Sequence, residues 1–150
     1  MASKCFRAEV EIDAPASRVW SVLVDLPRYG EWNPFTVSMK SALTIGGPID
    51  MRVRMSRWRI TIPQREEVRE VRAPEGSSAG RLVWGATMPG VIAQRVQTVT
   101  PIGETRSRYV TEDTIEGWMG GLVFSMFGGS LDDGFAGVAR ELKRRAESSA

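Results

Sequence analysis

The chain has 150 residues, 42% hydrophobic and 25% charged, a composition that excludes disordered and collagen-like polymers and fits one globular domain over residues 1–150. Its 20 basic and 18 acidic residues leave a formal charge of only +2, and the arginines are scattered along the sequence, so no nucleic-acid partner is expected. There is no histidine and one cysteine, Cys5. That excludes imidazole bases, Ser-His and Cys-His nucleophiles, the usual zinc sites and an intrachain disulfide, and neither a metal nor a cofactor is expected.

The N-terminal segment has no apolar run of signal-peptide type, and the single Asn, Asn33, is followed by Pro34, so no glycosylation sequon exists. A reducing, cytoplasmic location is the expectation. From Cys5 to Ile12, Phe6, Ala8, Val10 and Ile12 alternate with Arg7, Glu9 and Glu11, which predicts a strand with one buried face. Asp13 stands where an N-cap belongs and Pro15 suits a first helical turn. That helix is expected to run to about Val24, with Val19/Leu23 and Trp20/Val24 on its apolar side. Asp25-Leu26-Pro27 breaks it, and Arg28 to Trp32 predicts one further turn before Pro34.

From Phe35 to Glu116 the pattern is that of strands, cut by turns at Gly46-Gly47-Pro48, Pro74-Glu75-Gly76, Pro89-Gly90 and Pro101-Ile102-Gly103. Ile49, Met51, Val53 and Met55 alternate most clearly, and six such strands describe an antiparallel meander. After Gly117 the period changes: Phe124, Phe127, Leu131, Phe135, Val138 and Leu142 recur every three or four residues, ending among Arg140, Lys143, Arg144 and Arg145. Cations there complement the end of a long helix. Gly117 to Leu131 carries no charge, but it is too short and too rich in glycine to span a bilayer. It reads as a pocket-lining turn leading into the helix, and no stable membrane insertion is expected.

The order strand, two short helices, six strands and a long C-terminal helix resembles the helix-grip arrangement. The resemblance rests on Ile12-Asp13-Ala14-Pro15-Ala16 leading to Val19-Trp20, on Leu23 and Asp25, on Tyr29-Gly30-Glu31-Trp32-Asn33-Pro34-Phe35, and on the last strand running into Gly117 with Gly134-Phe135 beyond. The chain is identified as similar to the START-like superfamily, which includes Bet v 1-like proteins and the polyketide cyclase/dehydrase and lipid-transport families. The resemblance covers essentially the whole chain. It implies an α+β fold in which a seven-stranded antiparallel curved sheet wraps a long C-terminal helix, with two short helices after the first strand. It also implies a mostly apolar cavity between sheet and helix that takes hydrophobic or aromatic small molecules. Many relatives carry a histidine in the sixth or seventh strand, and this chain has none.

Strand parity then selects candidates. In Arg106 to Glu116, the set Ser107, Tyr109, Thr111, Asp113, Ile115 is taken as concave because of Tyr109 and Ile115. In the preceding strand periodicity leaves two faces open, and the resemblance places Ala93, Arg95, Gln97 and Val99 inward. Arg95, Gln97, Tyr109, Thr111 and Asp113 would then form a polar cluster, with Arg95 and Asp113 as an ion pair. Leu82, Trp84, Ala86 and Met88 would line the wall, with Met51 and Met55 further along. Trp32 either fills the core or stands at the rim of the mouth, Trp118 is placed as a lid, Phe124 in the lining, and Trp20 in the core. Trp58 either caps the entrance or covers a surface, and Glu66-Glu67 reads as a solvated strand edge. Asp132-Asp133-Gly134 lacks calcium-loop spacing.

Two functions fit. In a cyclase, aromatase or dehydratase for a polyketide-like substrate, Arg95 would stabilise an enolate and Asp113 or Tyr109 would shuttle a proton. Alternatively the cavity serves a carrier or receptor for a lipid or aromatic molecule. A homodimer is compatible with either.

Overall fold

The computed structural model describes residues 4–148. Strand β1 (Lys4–Ile12) leads to helix α1 (Ala16–Val24), a 3-10 turn (Leu26–Glu31), strands β2 (Thr36–Lys40), β3 (Pro48–Met55), β4 (Ile60–Arg72), β5 (Gly80–Met88), β6 (Val91–Pro101) and β7 (Ser107–Glu116), and helix α2 (Gly120–Ser148). All seven strands form one antiparallel sheet in the order β1-β7-β6-β5-β4-β3-β2. The two short helices carry the chain from one edge strand, β1, to the other, β2. The sheet curls around α2, whose 29 residues span about 43 Å at 1.5 Å per residue. This is the helix-grip, α+β architecture that the sequence resembles.

The core lies between the concave face of the sheet and the C-terminal half of α2. Phe135, Val138 and Leu142 are buried there against Ile12, Val19 and Leu23, and each such side chain is worth roughly 1.5–3 kcal/mol on leaving water. Gly134 positions the aromatic layer beside the sheet. A Cβ on it would lie 2.1 Å from Phe35 Cδ1, so only a glycine lets the Phe35 ring press into the helix. Phe35 then meets Phe135 edge-on at 5.1 Å between centroids.

The cap of α1 differs from expectation. Pro15, not Asp13, is the N-cap, and its carbonyl accepts from Arg18 and Val19. Asp13 is held elsewhere, with its carboxylate 3.0 Å from Arg106 and its backbone N–H on Glu147. Part of the scattered arginine is explained on the outer face of β1 and β7, where Arg7, Arg108 and Arg106, just before β7, pair with Glu9, Glu11 and Glu112. Among the described residues no helix is long and apolar enough to cross a membrane.

Candidate functional site

Curvature leaves a cavity of about 470 Å³ between the sheet and the N-terminal half of α2, within the roughly 300–1,000 Å³ of small-molecule sites. Strand pairing sets its walls. Trp84, Arg95 and Asp113 are direct neighbours on β5, β6 and β7 and form the inner row. The next row outward is Ala86, Ala93 and Ile115, and Met88 and Val91 stand at the opening. Four residues along β5 from Trp84 to Met88 span about 13 Å at strand rise. The opposite wall is Met51, Val53 and Met55 of β3 with Ile62, Gln64 and Glu66 of β4, and Val123, Phe127 and Leu131 of α2 close the top.

Arg95 is the centre of the site. It is 5% exposed, and its Nε–H donates to Thr111 Oγ1 at 3.0 Å. Its Cζ lies 4.7 Å from the Phe135 ring centroid, 5.6 Å from Trp84 and 5.8 Å from Phe35. Cation–π contacts of this kind are worth about 2 kcal/mol when desolvated. The expected ion pair with Asp113 is not formed, although the two residues face each other across the β6–β7 ladder, and the side-chain bond of Arg95 goes to Thr111. Thr111 and the aromatic rings hold the guanidinium away from the carboxylate, and Arg95 Nη2 is buried with no partner among the described residues.

The sequence-selected residues divide by depth. Met51, Met55, Trp84, Met88, Arg95 and Asp113 line the cavity. Gln97, Thr111 and Tyr109 share the concave face but sit deeper, fully buried beneath the cavity floor. The Tyr109 hydroxyl donates to Gln97 Oε1 at 2.5 Å, so it supports the floor and is not on the wall. Burial pushes the Tyr109 hydroxyl above its ordinary range, with Arg95 and Thr111 pulling it back.

Three aromatics lie off the cavity. Trp32 packs edge-on against Tyr29 at 5.1 Å and borders a shallow surface depression with Arg28 and Arg145. Phe124 stacks on Phe6 at 5.7 Å beneath Lys4, because that side of α2 faces the β1 edge. Trp118 is 74% exposed and lies over the β5–β6 turn, where a Cβ on Gly90 would come within 2.9 Å of its ring.

Glu66 is the residue that the sequence reading left on a solvated edge. It pairs with the inward Ile49 and lies two residues before the buried Val68, so it faces the cavity. The alternation Ile62, Gln64, Glu66, Val68 carried that signal. Burial raises the Glu66 carboxyl above its usual range, against the pull of Arg95 and Arg69. Burial likewise pushes Asp113 up to about 7, while Arg95 lowers it and the charge of Glu66 raises it further. The site thus holds two carboxyl groups raised by burial, Asp113 to about 7, and one fixed, under-bonded cation in an apolar cup. Such a set can bind an oxygen and transfer a proton.

A curled seven-stranded sheet gripping a helix over such a cavity defines a START-like ligand-binding domain. The family described as "Polyketide cyclase / dehydrase and lipid transport" matches residues 3–145, and the chain belongs to it. None of the curated proteins matches the sequence. Among solved structures, the Zhui aromatase/cyclase from Streptomyces sp. R1128 is 15% identical, with a TM-score of 0.71 over 97% of this chain and 94% of that one. A START superfamily protein from Mycobacterium smegmatis is 16% identical, with a TM-score of 0.67 over 97% and 99% of the two chains. Norcoclaurine synthase from Thalictrum flavum, solved with dopamine and hydroxybenzaldehyde, is 13% identical, with a TM-score of 0.69 over 99% and 89%. At these identities the likeness is one of fold.

Proposed function

We propose that the cavity binds a hydrophobic or aromatic, polyketide-like carbonyl compound and promotes its cyclisation or dehydration. The observation that carries this reading is the buried, unpartnered Arg95 Nη2 on a cavity wall that also bears Asp113 and Glu66. A charged donor left unbonded inside a protein is costly, and a ligand oxygen would remove that cost. Arg95 polarises the carbonyl and holds the enolate oxygen as charge develops. One carboxylate of the Asp113/Glu66 pair takes the proton from the carbon next to that carbonyl. The other, protonated, gives its proton to the departing β-hydroxyl, which leaves as water. A carbon–carbon double bond forms, nothing is oxidised or reduced, and the net proton count of the pair is unchanged. The apolar walls confine the chain so that its reacting ends meet.

The test is turnover and binding of an aromatic β-hydroxyketone by the protein and by Asp113→Asn, Glu66→Gln and Arg95→Met. The reading expects the carboxyl variants to bind the compound and lose dehydration, and Arg95→Met to lose binding. Binding that survives all three substitutions, with no turnover by the unaltered protein, would overturn it. A hydrophobic compound released from the purified protein in native mass spectrometry, with no turnover, would identify a carrier instead.

A further inference from the structure

The N-terminal half of α2 is apolar on two sides. Val123, Phe127 and Leu131 turn into the cavity. On the outward side Trp118, just before the helix, is followed at intervals of four by Leu122 and Met126, all exposed. Only Gly121, Ser125 and Gly129 share that outward side, and no charge occurs from Gly117 to Leu131. A helix that is apolar all round belongs in a core or against lipid. This one has a cavity beneath it, and on its outward side the Arg57 side chain lies against Gly129 while Trp118, Leu122 and Met126 stay exposed.

Two hairpin tips grip the same stretch of helix. At the β3–β4 tip, Trp58 donates its Nε1–H to the Met126 carbonyl at 2.7 Å, yet its ring remains 52% exposed beside the exposed Ile60. At the β5–β6 tip, the Gly90 carbonyl accepts the Met119 N–H at 2.8 Å and Met88 is exposed. Trp58, Ile60, Met88, Trp118, Leu122 and Met126 therefore make up an exposed apolar ring of helix and hairpin-tip side chains, of which Met88 also lines the cavity. Arg54 and Arg59, on the β3–β4 hairpin, are exposed and form no ion pair among the described residues. The acids bordering the apolar stretch are Glu116, Asp132 and Asp133, and Asp133 is neutralised by Arg57 at 2.9 Å.

We propose that this ring docks on the surface of an anionic lipid bilayer, with Trp118, Leu122 and Met126 entering the interface and Arg54 and Arg59 meeting the head groups. Tryptophans and long apolar side chains flanked by arginine suit the boundary between head groups and acyl chains. Three separate protrusions of small area match a fluid surface, which adapts to each of them. Unpaired arginines complement the negative head groups. Met88 belongs to both the ring and the cavity lining, so the docked surface would adjoin the cavity. The proposal does not depend on the chemistry of Arg95, Asp113 and Glu66, and none of its variants touches those residues.

The experiment is co-flotation with vesicles of phosphatidylcholine alone and of phosphatidylcholine mixed with phosphatidylglycerol, at low and high salt, with tryptophan emission followed in parallel. The expected result is binding to the mixed vesicles, weakened by salt, with a blue shift as Trp58 and Trp118 leave water. The double variant Leu122→Glu/Met126→Glu should lower the partition coefficient by about tenfold or more. Arg54→Glu/Arg59→Glu should remove the preference for anionic vesicles. All four positions are exposed, and unchanged melting temperatures would confirm intact folding. Absence of binding to either vesicle, or undiminished binding by the Leu122→Glu/Met126→Glu protein, would overturn the proposal. So would a dimer in sedimentation that the same variant converts to monomer while vesicle binding is nil, since the face would then belong to a second copy.

Discussion

Replacing Asp113 by Asn should make the protein more stable at neutral and alkaline pH. Asp113 is a carboxyl group whose ionised form the fold disfavours: burial lifts it from 3.8 to about 7, Glu66 adds to the rise, and Arg95 offsets part of it. Between those two values the folded protein holds a proton that the unfolded chain has released. Stability therefore falls with rising pH by about 1.4 kcal/mol per pH unit per such group. Below about pH 4 both states are protonated and no penalty exists. The loss accumulates from there and is complete above about 7, reaching up to about 4 kcal/mol across a span of roughly three pH units. Asn has the shape of the protonated acid and cannot ionise. Urea unfolding followed by tryptophan fluorescence, repeated from pH 4 to pH 8.5, gives the two curves directly. They should meet at the acid end and diverge towards pH 8, with the Asn variant above. Parallel curves, or an Asn variant less stable at pH 8, would refute the reasoning, because Asp113 would then be a carboxylate stabilised by Arg95.

Glu66→Gln removes the negative charge that raises Asp113, so Asp113 should titrate lower, read from its carboxyl carbon shift in a labelled protein. Arg95→Met removes the cation that lowers both carboxyl groups; Asp113 should then titrate higher, and affinity for a phenolic or carboxylate probe should fall about 10–100-fold by calorimetry. Tyr109→Phe takes the hydroxyl from Gln97 Oε1 and should cost about 1–2 kcal/mol in urea unfolding while leaving ligand affinity unchanged. Gly134→Ala puts a Cβ 2.1 Å from Phe35 Cδ1, which should cost about 1–3 kcal/mol and lower the melting temperature by roughly 3–10 °C. Probe affinity should fall with it, because Phe35 lies on the cavity wall.

The fold was legible because its signals are local and repeated. Alternation in β1 and β3, Pro-Gly turns between strands, and the change of period after Gly117 each mark one element, and their order is distinctive. The inward row was legible only once the sheet was assumed to curl, since parity separates two faces without saying which is concave. Side-chain direction beyond Cβ was not legible. Arg95 and Asp113 share a register position, as an ion pair would require, yet the Arg95 rotamer is set by Thr111, Phe135 and the Phe35 ring that Gly134 admits. Those contacts come from β7, from α2 and from the segment before β2. Trp32, Phe124 and Trp118 lie off the cavity lining for a related reason. Proximity in sequence to the presumed mouth says nothing of which side of a helix or turn a ring leaves from. Glu66 was missed although its parity was plain, because adjacent acids in a strand invite a solvent reading for both.

The separation of Arg95 from the carboxyl groups bears on whether this polar set is structural or functional. An ion pair that fixed strand register would be closed on itself: Asp113 would be ionised well below its ordinary range, and Arg95 would have no free donor. Here the carboxyl groups are raised, the guanidinium donates to a threonine, and one of its nitrogens is unbonded. Aromatic rings satisfy a cation from its faces but not at its N–H edges, so they fix its position while leaving hydrogen bonds unmade. An unmet demand for a hydrogen bond therefore sits at the wall of the cavity, on Arg95 Nη2, while in the packed layer below Tyr109 bonds to Gln97 Oε1 and Gln97 Nε2 is left without a partner among the described residues. A partner that meets it must bring an acceptor oxygen for Arg95 and, a short distance away, a proton or hydroxyl for Asp113 or Glu66, on a frame apolar enough for Trp84, Met51 and Phe127. Under the proposed function, that combination favours a β-oxygenated carbonyl compound over a plain hydrocarbon lipid.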